Sequence, residues 1–331
     1  MKGMSAAWKY RTALASLFLL TLGGCDSIHP IHPGPDAVAV HLRFVGETTA
    51  TKTGDPDASL ISDVNLFLFT PDGFLTDRLY FSGDSASLRL PRRSELMLCA
   101  CTNLGFALDG IGSLEELKAW RYYLIFPDGY ARGLPRACVL ERLTVGDDAM
   151  SLDLPTVPLF SRFTLSMDRT ALDPQIRIRV RSARVGGCPN SITPFAPSRA
   201  ESQAHLFAQG FIREGLEADP LNREMAGGRS GEIELYALEN LQQERSELCS
   251  YIELDVDYQS PRYWSAGDRY LTYRFYAGED YRVERGVQYR YLIRPRGDGL
   301  DGDGWSVDRT RLGTVSGPLE TGGGGEAPGE G

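Results

Sequence analysis

The sequence predicts an all-β chain of two tandem antiparallel sandwiches. Three observations carry this. Apolar residues recur with period two, as in Val38, Val40, Leu42 and Phe44, and in Ile176, Ile178 and Val180 set against Arg177, Arg179 and Arg181. Turn chemistry punctuates the runs at Thr70-Pro71-Asp72-Gly73 and Phe126-Pro127-Asp128-Gly129. There Pro presets φ, Asp bonds the backbone and Gly supplies φ > 0. Helical periodicity is confined to residues 114–120, opened by a capping box of Ser113 and Glu116.

The elements follow in order. Residues 64–69 (VNLFLF) form a hydrophobic strand that runs into the first turn. Residues 87–90 and 95–100 are strands around Pro91-Arg92-Arg93, and residues 152–154 and 159–167 supply two more. After Pro174 comes a half-buried strand with a cationic face, then a loop-like stretch over 186–231. Strands resume at 232–238, 250–258, 270–276 and 288–294. The expected organisation is 1–24, 25–36, 37–168, 169–312 and 313–331. These are an export signal, a tether, a first sandwich, a second sandwich and a Gly-rich tail expected to be disordered. The boundary is placed where Asp168, Asp173 and Pro174 break the pattern, and no repeat links the two halves in sequence.

The N-terminus accounts for the first segment. Lys2, Lys9 and Arg11 precede an apolar core over 12–22, too short for a permanent span of about 20 residues. It ends in Leu22-Gly23-Gly24-Cys25, a branched residue, two tiny ones and a thiol, which resembles the lipobox of bacterial lipoproteins. Cleavage is expected between Gly24 and Cys25, with a diacylglycerol and an N-acyl chain on Cys25. Several acyl chains at about 0.8 kcal/mol per buried CH₂ make such attachment permanent. No later stretch is apolar enough to span a membrane. The tether's His29 and His32, among Pro and polar residues, read as linker rather than metal ligands.

Three of the 35 Lys and Arg and none of the 44 Asp and Glu precede Cys25, leaving a formal charge of −12 on the mature chain. Such acidity argues against nucleic acid as a partner. Five cysteines follow the anchor: Cys99, Cys101, Cys138, Cys188 and Cys249. Export permits disulfides, and an odd count leaves at least one without a partner in the chain. Cys99 and Cys101 share a strand face and do not bond each other readily. The cysteines are therefore core residues or form one disulfide per sandwich, with Cys101, Cys138, Cys188 and Cys249 available. CxxC pairs and clustered His are absent, so no metal is expected.

No catalytic constellation stands out. The four His are two in the tether, His41 in a strand and His205 in a loop, and no G-x-S-x-G occurs. Asp298, Asp301 and Asp303 alternate as in a calcium loop, but the bidentate Glu at position 12 is missing. The run Tyr258, Tyr263, Trp264, Tyr270, Tyr273, Tyr276 and Tyr281 could stack on sugars, although aromatics are also favoured strand formers.

Four segments carry a family resemblance. They are the box at Cys25; residues 63–69 (DVNLFLF) with Asp72-Gly73-Phe74-Leu75; residues 96–103 entering the turn Thr102-Asn103-Leu104-Gly105; and residues 235–254. In the last, Tyr236, Glu239-Asn240 and Gln242 precede Cys249-Ser250-Tyr251-Ile252-Glu253. Together these resemble the fimbrillin-associated anchor family, base subunits of the type V pili of Bacteroidia. The resemblance implies two transthyretin-like Greek-key sandwiches of about seven strands each. It also implies lipid attachment to the outer membrane at the cell surface and no catalysis. The expected partner is a fimbrillin stalk subunit, joined by strand complementation. The function so implied is to hold the pilus base and limit fibre length, with the region beyond Tyr289 as the candidate exchanging segment. The competing reading, from the Tyr-rich run, is a surface glycan-binding lipoprotein of a nutrient-uptake system.

Overall fold

The computed structural model describes residues 36–46, 59–127, 132–225, 227–261, 269–278, 280–300 and 304–314. Gly24, Cys25, His29, His32, Tyr263, Trp264, Asp301, Asp303 and the Gly-rich segment after Thr314 lie outside them. The regular structure of the described chain is almost all β, with one α-helix.

The first half runs β1 (Ala37–Val45), β2 (Asp63–Phe69), β3 (Leu75–Ser82), β4 (Ser85–Pro91), β5 (Glu95–Thr102), α1 (Leu114–Ala119), β6 (Tyr122–Tyr123), β7 (Arg136–Thr144), β8 (Met150–Pro155) and β9 (Val157–Pro158). Its two sheets have the orders β4-β1-β8 and β3-β2-β5-β7-β9. Alternation puts Val40 and Leu42 of β1 inside and His41 and Arg43 outside. These meet Leu66 and Leu68 of β2 and Leu98 of β5 in one core.

Strand β2 is buried on both faces, which is why it reads as a continuous apolar run rather than an alternation. Phe67 and Phe69 turn away from the first core. With Cys99 and Cys101 they pack beneath Leu108, Ile111 and Leu117 of α1. Polar groups at the start of β2 hold that cover in place. The Asn65 amide donates to the Phe106 carbonyl (2.9 Å) and accepts from the Leu108 N–H (2.7 Å). The Asp63 carboxylate accepts from the Leu104 and Gly105 N–H groups (3.1 Å each). Asn103 takes φ +63° to turn the chain after β5, a conformation its short polar side chain tolerates. Ser113 caps α1 by accepting from the Glu116 N–H, whereas the Glu116 carboxylate reaches one residue past the expected box to the Gly112 N–H.

The second half runs β10 (Phe160–Met167), β11 (Arg177–Gly186), β12 (Ser191–Ile192), β13 (Phe211–Glu214), β14 (Ile233–Leu238), β15 (Asn240–Leu241), β16 (Tyr251–Gln259), β17 (Arg269–Tyr276), β18 (Arg282–Val283), β19 (Val287–Pro295) and β20 (Trp305–Thr314). Its sheets have the orders β14-β10-β19-β20 and β13-β11-β16-β17. The expected boundary at 168/169 is corrected here. Strand β10 lies between β14 and β19 and sends Phe163 and Leu165 into the second core. The chain therefore changes sandwich between Pro158 and Phe160. Asp168, Asp173 and Pro174 break the pattern because they belong to the turn from β10 to β11, inside the second sandwich. The stretch 186–231, read as loop, also contains β12, β13 and three 3₁₀ turns.

The two halves repeat one topology. In chain order, β1, β2, β3, β4, β5, β7 and β8 correspond to β10, β11, β13, β14, β16, β17 and β19. The sheet orders β4-β1-β8 and β3-β2-β5-β7 then become β14-β10-β19 and β13-β11-β16-β17. Each half contains one parallel pair, β1 with β8 and β10 with β19. Among the described residues strand β20 has no counterpart in the first half; it is added antiparallel outside β19.

Leu66 is fully buried between the first two sheets. Leu66→Ala is expected to destabilise the protein by about 2–5 kcal/mol through lost burial and a residual cavity. Tyr80→Ala, on a solvent-facing position, is expected to cost well under that. Urea unfolding followed by tryptophan fluorescence compares the two.

Candidate functional site

The segment 235–254, the most specific part of the resemblance, sits at the waist between the sandwiches. β14 leads directly into buried Glu239, and Arg285 comes from the turn between β18 and β19. The Arg285 guanidinium donates to both Glu239 oxygens (2.5 and 3.0 Å) and to the carbonyls of Thr193, Pro194 and Ala196. Glu239 also accepts the Ser198 N–H (2.8 Å). Asn240 accepts from the Ala200 N–H and the Gln242 amide, and donates to the Leu248 carbonyl and the Ser250 hydroxyl. Glu239, Asn240 and Gln242 thus spend their polar atoms on backbone and on one another. They fasten the loop 193–201 and offer no acid or base to a substrate.

That loop carries Phe195, which packs on the cores of both halves, as does Tyr122. Beside it β6 pairs with β12, and Leu124 N–H donates to the Asn190 carbonyl. The waist is a continuous hydrogen-bonded and apolar junction.

All five described cysteines are free and buried, where core positions and one disulfide per sandwich were the two expectations. In the β5–β7 ladder Cys101 lies opposite Ala137 and Ala100 opposite Cys138. Cys101 and Cys138 therefore project to opposite faces of the sheet. Cys188 donates toward the Pro189 carbonyl, while Cys249 receives the Ser246 N–H and donates to the Glu244 carbonyl (3.3 Å each). Each sulfur is occupied in its own surroundings. Burial pushes the Cys99, Cys138 and Cys188 thiols up to about 12 and raises Cys101 as well. Such thiols stay protonated at neutral pH and are poor nucleophiles.

The two described histidines assemble no relay. His41 meets the Ser87 hydroxyl (3.1 Å) on an exposed sheet face. The neighbouring Asp153 is held by Arg43 through two hydrogen bonds (2.8 and 2.5 Å), which keep its carboxyl below the usual range. His205 ends a 3₁₀ turn. Among the described residues no group of three His, Cys, Asp or Glu could hold a metal ion, and no helix is long and apolar enough to cross a membrane.

The fold disperses the Tyr-rich run. Tyr258 is buried and donates to the Asp298 carbonyl. Tyr273 packs on Trp305 with ring centres 3.8 Å apart, and both donate to the Gly299 carbonyl. Asp298 and Gly299, at the start of the Gly-rich loop, thus turn their carbonyls toward these aromatic side chains. Tyr276 stands edge-on to Tyr281, and Tyr270 alone among the described members is strongly exposed.

The strand that sequence reading missed is β20, within the region beyond Tyr289 named as a candidate for exchange. It pairs with β19 from Trp305 to Thr314, yet its residues 308–311 are exposed. Trp305 and Val307 pack on the second core. Further along, ion pairs Arg294–Asp308 and Arg311–Glu284 clip it to the rest of the sandwich. Its apolar positions are few, so periodicity gave no signal.

No family model and no curated protein matches the chain. Solved structures match its fold. A protein of Parabacteroides distasonis provisionally assigned to cell adhesion superposes with a TM-score of 0.59 at 11% identity, over 83% of this chain and 98% of that one. The fimbrilin FimA of Porphyromonas gingivalis gives 0.55 at 10% identity, over 83% and 96%. The tip fimbrial protein Mfa3 of the same species gives 0.53 at 9%, over 83% and 98%. The chain shares the β-sandwich fold of these Bacteroidia proteins.

Two measurements check the site. Arg285→Met is expected to cost about 3–5 kcal/mol in chemical denaturation, because it strands a buried carboxylate. A thiol reagent is expected to label no Cys in the native protein and five in denaturant, in addition to any labelling at Cys25; disulfides would lower the denatured count.

Proposed function

We propose that this chain is a lipid-anchored fimbrial subunit that attaches the base of a pilus to the outer membrane and limits fibre length, without catalysis. The observation that carries the reading is β20, an eighth strand added at the exposed edge of a sandwich whose seven other strands repeat the first half. An edge strand held by a few apolar contacts and surface ion pairs can exchange with another chain, since addition at a sheet edge satisfies backbone groups in either partner. The stalk subunit, a fimbrillin, is the proposed partner. The fold shared with a fimbrilin and a fimbrial tip protein supports this.

The N-terminal half supports a terminating role. Its β1 already fills the place between β4 and β8, so no strand from another subunit is needed at that position. Gly23-Gly24-Cys25 and the Pro-rich segment after it supply the anchor and the spacer. The alternative, a glycan-binding lipoprotein of a nutrient-uptake system, rested on the Tyr-rich run; of its described members Tyr258 is buried and Tyr270 is exposed.

Cys25→Ala is expected to release the protein, with its fibres, into the medium; fibres that stay on the cells would overturn the anchor. Truncation before Trp305 is expected to leave the protein membrane-bound and to abolish its co-purification with the stalk. Undiminished co-purification would overturn the role of β20.

A further inference from the structure

A groove of about 600 Å³ opens on the outer face of the sheet β13-β11-β16-β17, within the size range of small-ligand sites. It exists because β13 pairs with β11 only over Ser182 to Val185. Beyond that point the 3₁₀ turns Gly215–Glu217 and Asp219–Asn222 replace the strand. The Asn222 amide takes the place of a ladder partner, accepting from the Val180 N–H (2.7 Å) and donating to its carbonyl (2.8 Å). A bulge between Val180 and Ser182 leaves Arg181 unpaired in the ladder, and bulges re-aim side chains. Here the Arg181 guanidinium lies over the Tyr270 ring, 4.6 Å from its centre. Tyr270 is 71% exposed and lines the groove.

We propose that this groove binds neutral oligosaccharides. Its polar groups lie on two rungs of the sheet. One rung is Arg179, Asp257 and Tyr270, and the next is Ser182, Asp255 and Thr272. Strands are about 4.8 Å apart and same-face neighbours along a strand about 6.8 Å apart, so the two rungs cover a patch the size of one or two sugar rings. Tyr270 supplies a flat apolar platform. Arg179 and Arg181 supply donors and the carboxylates acceptors, side by side, as ring hydroxyls that both donate and accept require.

The charge pattern selects the class of ligand. Glu214, Asp219, Asp255 and Asp257 outnumber Arg179 and Arg181 in the lining, which disfavours anions. Every one of the last three acids has a donor beside it. Asp255 accepts from Ser182 (3.0 Å) and Thr272 (2.7 Å), Asp257 faces Arg181 (3.7 Å) and Asp219 faces Arg179 (4.0 Å). That arrangement leaves no bare carboxylate pair for a cation. A neutral ligand rich in hydroxyls matches what remains. This site is independent of the fimbrial reading, because it lies on the sheet β13-β11-β16-β17 whereas β20 belongs to the other sheet.

The test is calorimetric titration of the purified full chain with cellotriose, mannotriose and chitotriose, and with 3′-sialyllactose as the anionic arm. At least one neutral trisaccharide is expected to bind, with affinity at least tenfold weaker in Tyr270→Ala and in Asp257→Asn. Affinity is expected to be retained in Tyr270→Trp and in Tyr123→Ala, an exposed ring at the waist. Thermal melts of the variants confirm that the exposed substitutions leave the fold intact. Absence of binding to all three neutral sugars, binding confined to the sialylated one, or affinity unchanged by both groove variants would overturn the proposal.

Discussion

Arg285 and Glu239 form the contact on which the arrangement of the two sandwiches depends. A buried guanidinium and carboxylate are costly to desolvate, and their attraction compensates only when the remaining donors and acceptors are also satisfied. Here they are. Arg285 reaches three carbonyls of the loop 193–201 besides Glu239, and Glu239 takes a backbone N–H from the same loop. The loop is therefore pinned at several points along its length, and it is the loop that inserts Phe195 between the cores. Asn240 and Gln242 extend the clamp to Ala200. An apolar junction of similar size would bury as much surface, but it would not specify the geometry of the loop so narrowly. The waist couples the orientation of one sandwich to that of the other.

Within that frame the strands divide into those the core holds and those it does not. β2 is enclosed on both faces, and β10 is nearly so. Removing either would expose apolar surface worth many kcal/mol at about 25 cal/mol per Å². β20 lies at the other extreme. Its ladder with β19 is long, but its middle residues face solvent, and exposed ion pairs contribute at most about 1 kcal/mol each. The free energy holding β20 is largely backbone hydrogen bonding. A competing strand reproduces that bonding without a new core, which makes this edge the place where the fold can be opened at least expense.

What could be read from the sequence follows the same division. β1, β2, β10 and β16 were legible because burial on one or two faces writes itself as alternation or as a continuous apolar run. The Thr70 turn and the Ser113 cap were legible because their residues have local roles. β7 was not, since its nine residues include Arg136, Glu141 and Arg142. Arg136 is buried with Thr156 accepting from its guanidinium through both hydroxyl and carbonyl, a pairing twenty residues away in sequence. β20 was hidden by its charges. The topological repeat left no trace because period-two patterning constrains which positions are apolar, not which apolar residue fills them. The boundary was misplaced for a related reason: Asp168 and Pro174 mark a turn, and a turn within a sandwich has the same local chemistry as one between sandwiches. At the waist, Glu239, Asn240 and Gln242 were recognised as a motif, but their role needs Arg285, some 45 residues further along, to be seen beside them.

The outer face of β11, β16 and β17 belongs to neither group. Its alternating Arg residues were read as a cationic strand face, but the sheet turns them into half of a mixed lattice by setting Asp257 and Glu253 opposite Arg179 and Arg184. Toward β14 and the waist the lattice is closed: Glu253 is buried between Arg184 and Arg274. Toward the end where β13 leaves the sheet, the same lattice is open, with looser pairs and an uncovered ring. The difference arises from one bulge and one shortened edge strand. A surface that would otherwise be self-satisfied thereby gains unspent donors and acceptors in a fixed array. That is the property that distinguishes a recognition surface from a merely solvated one.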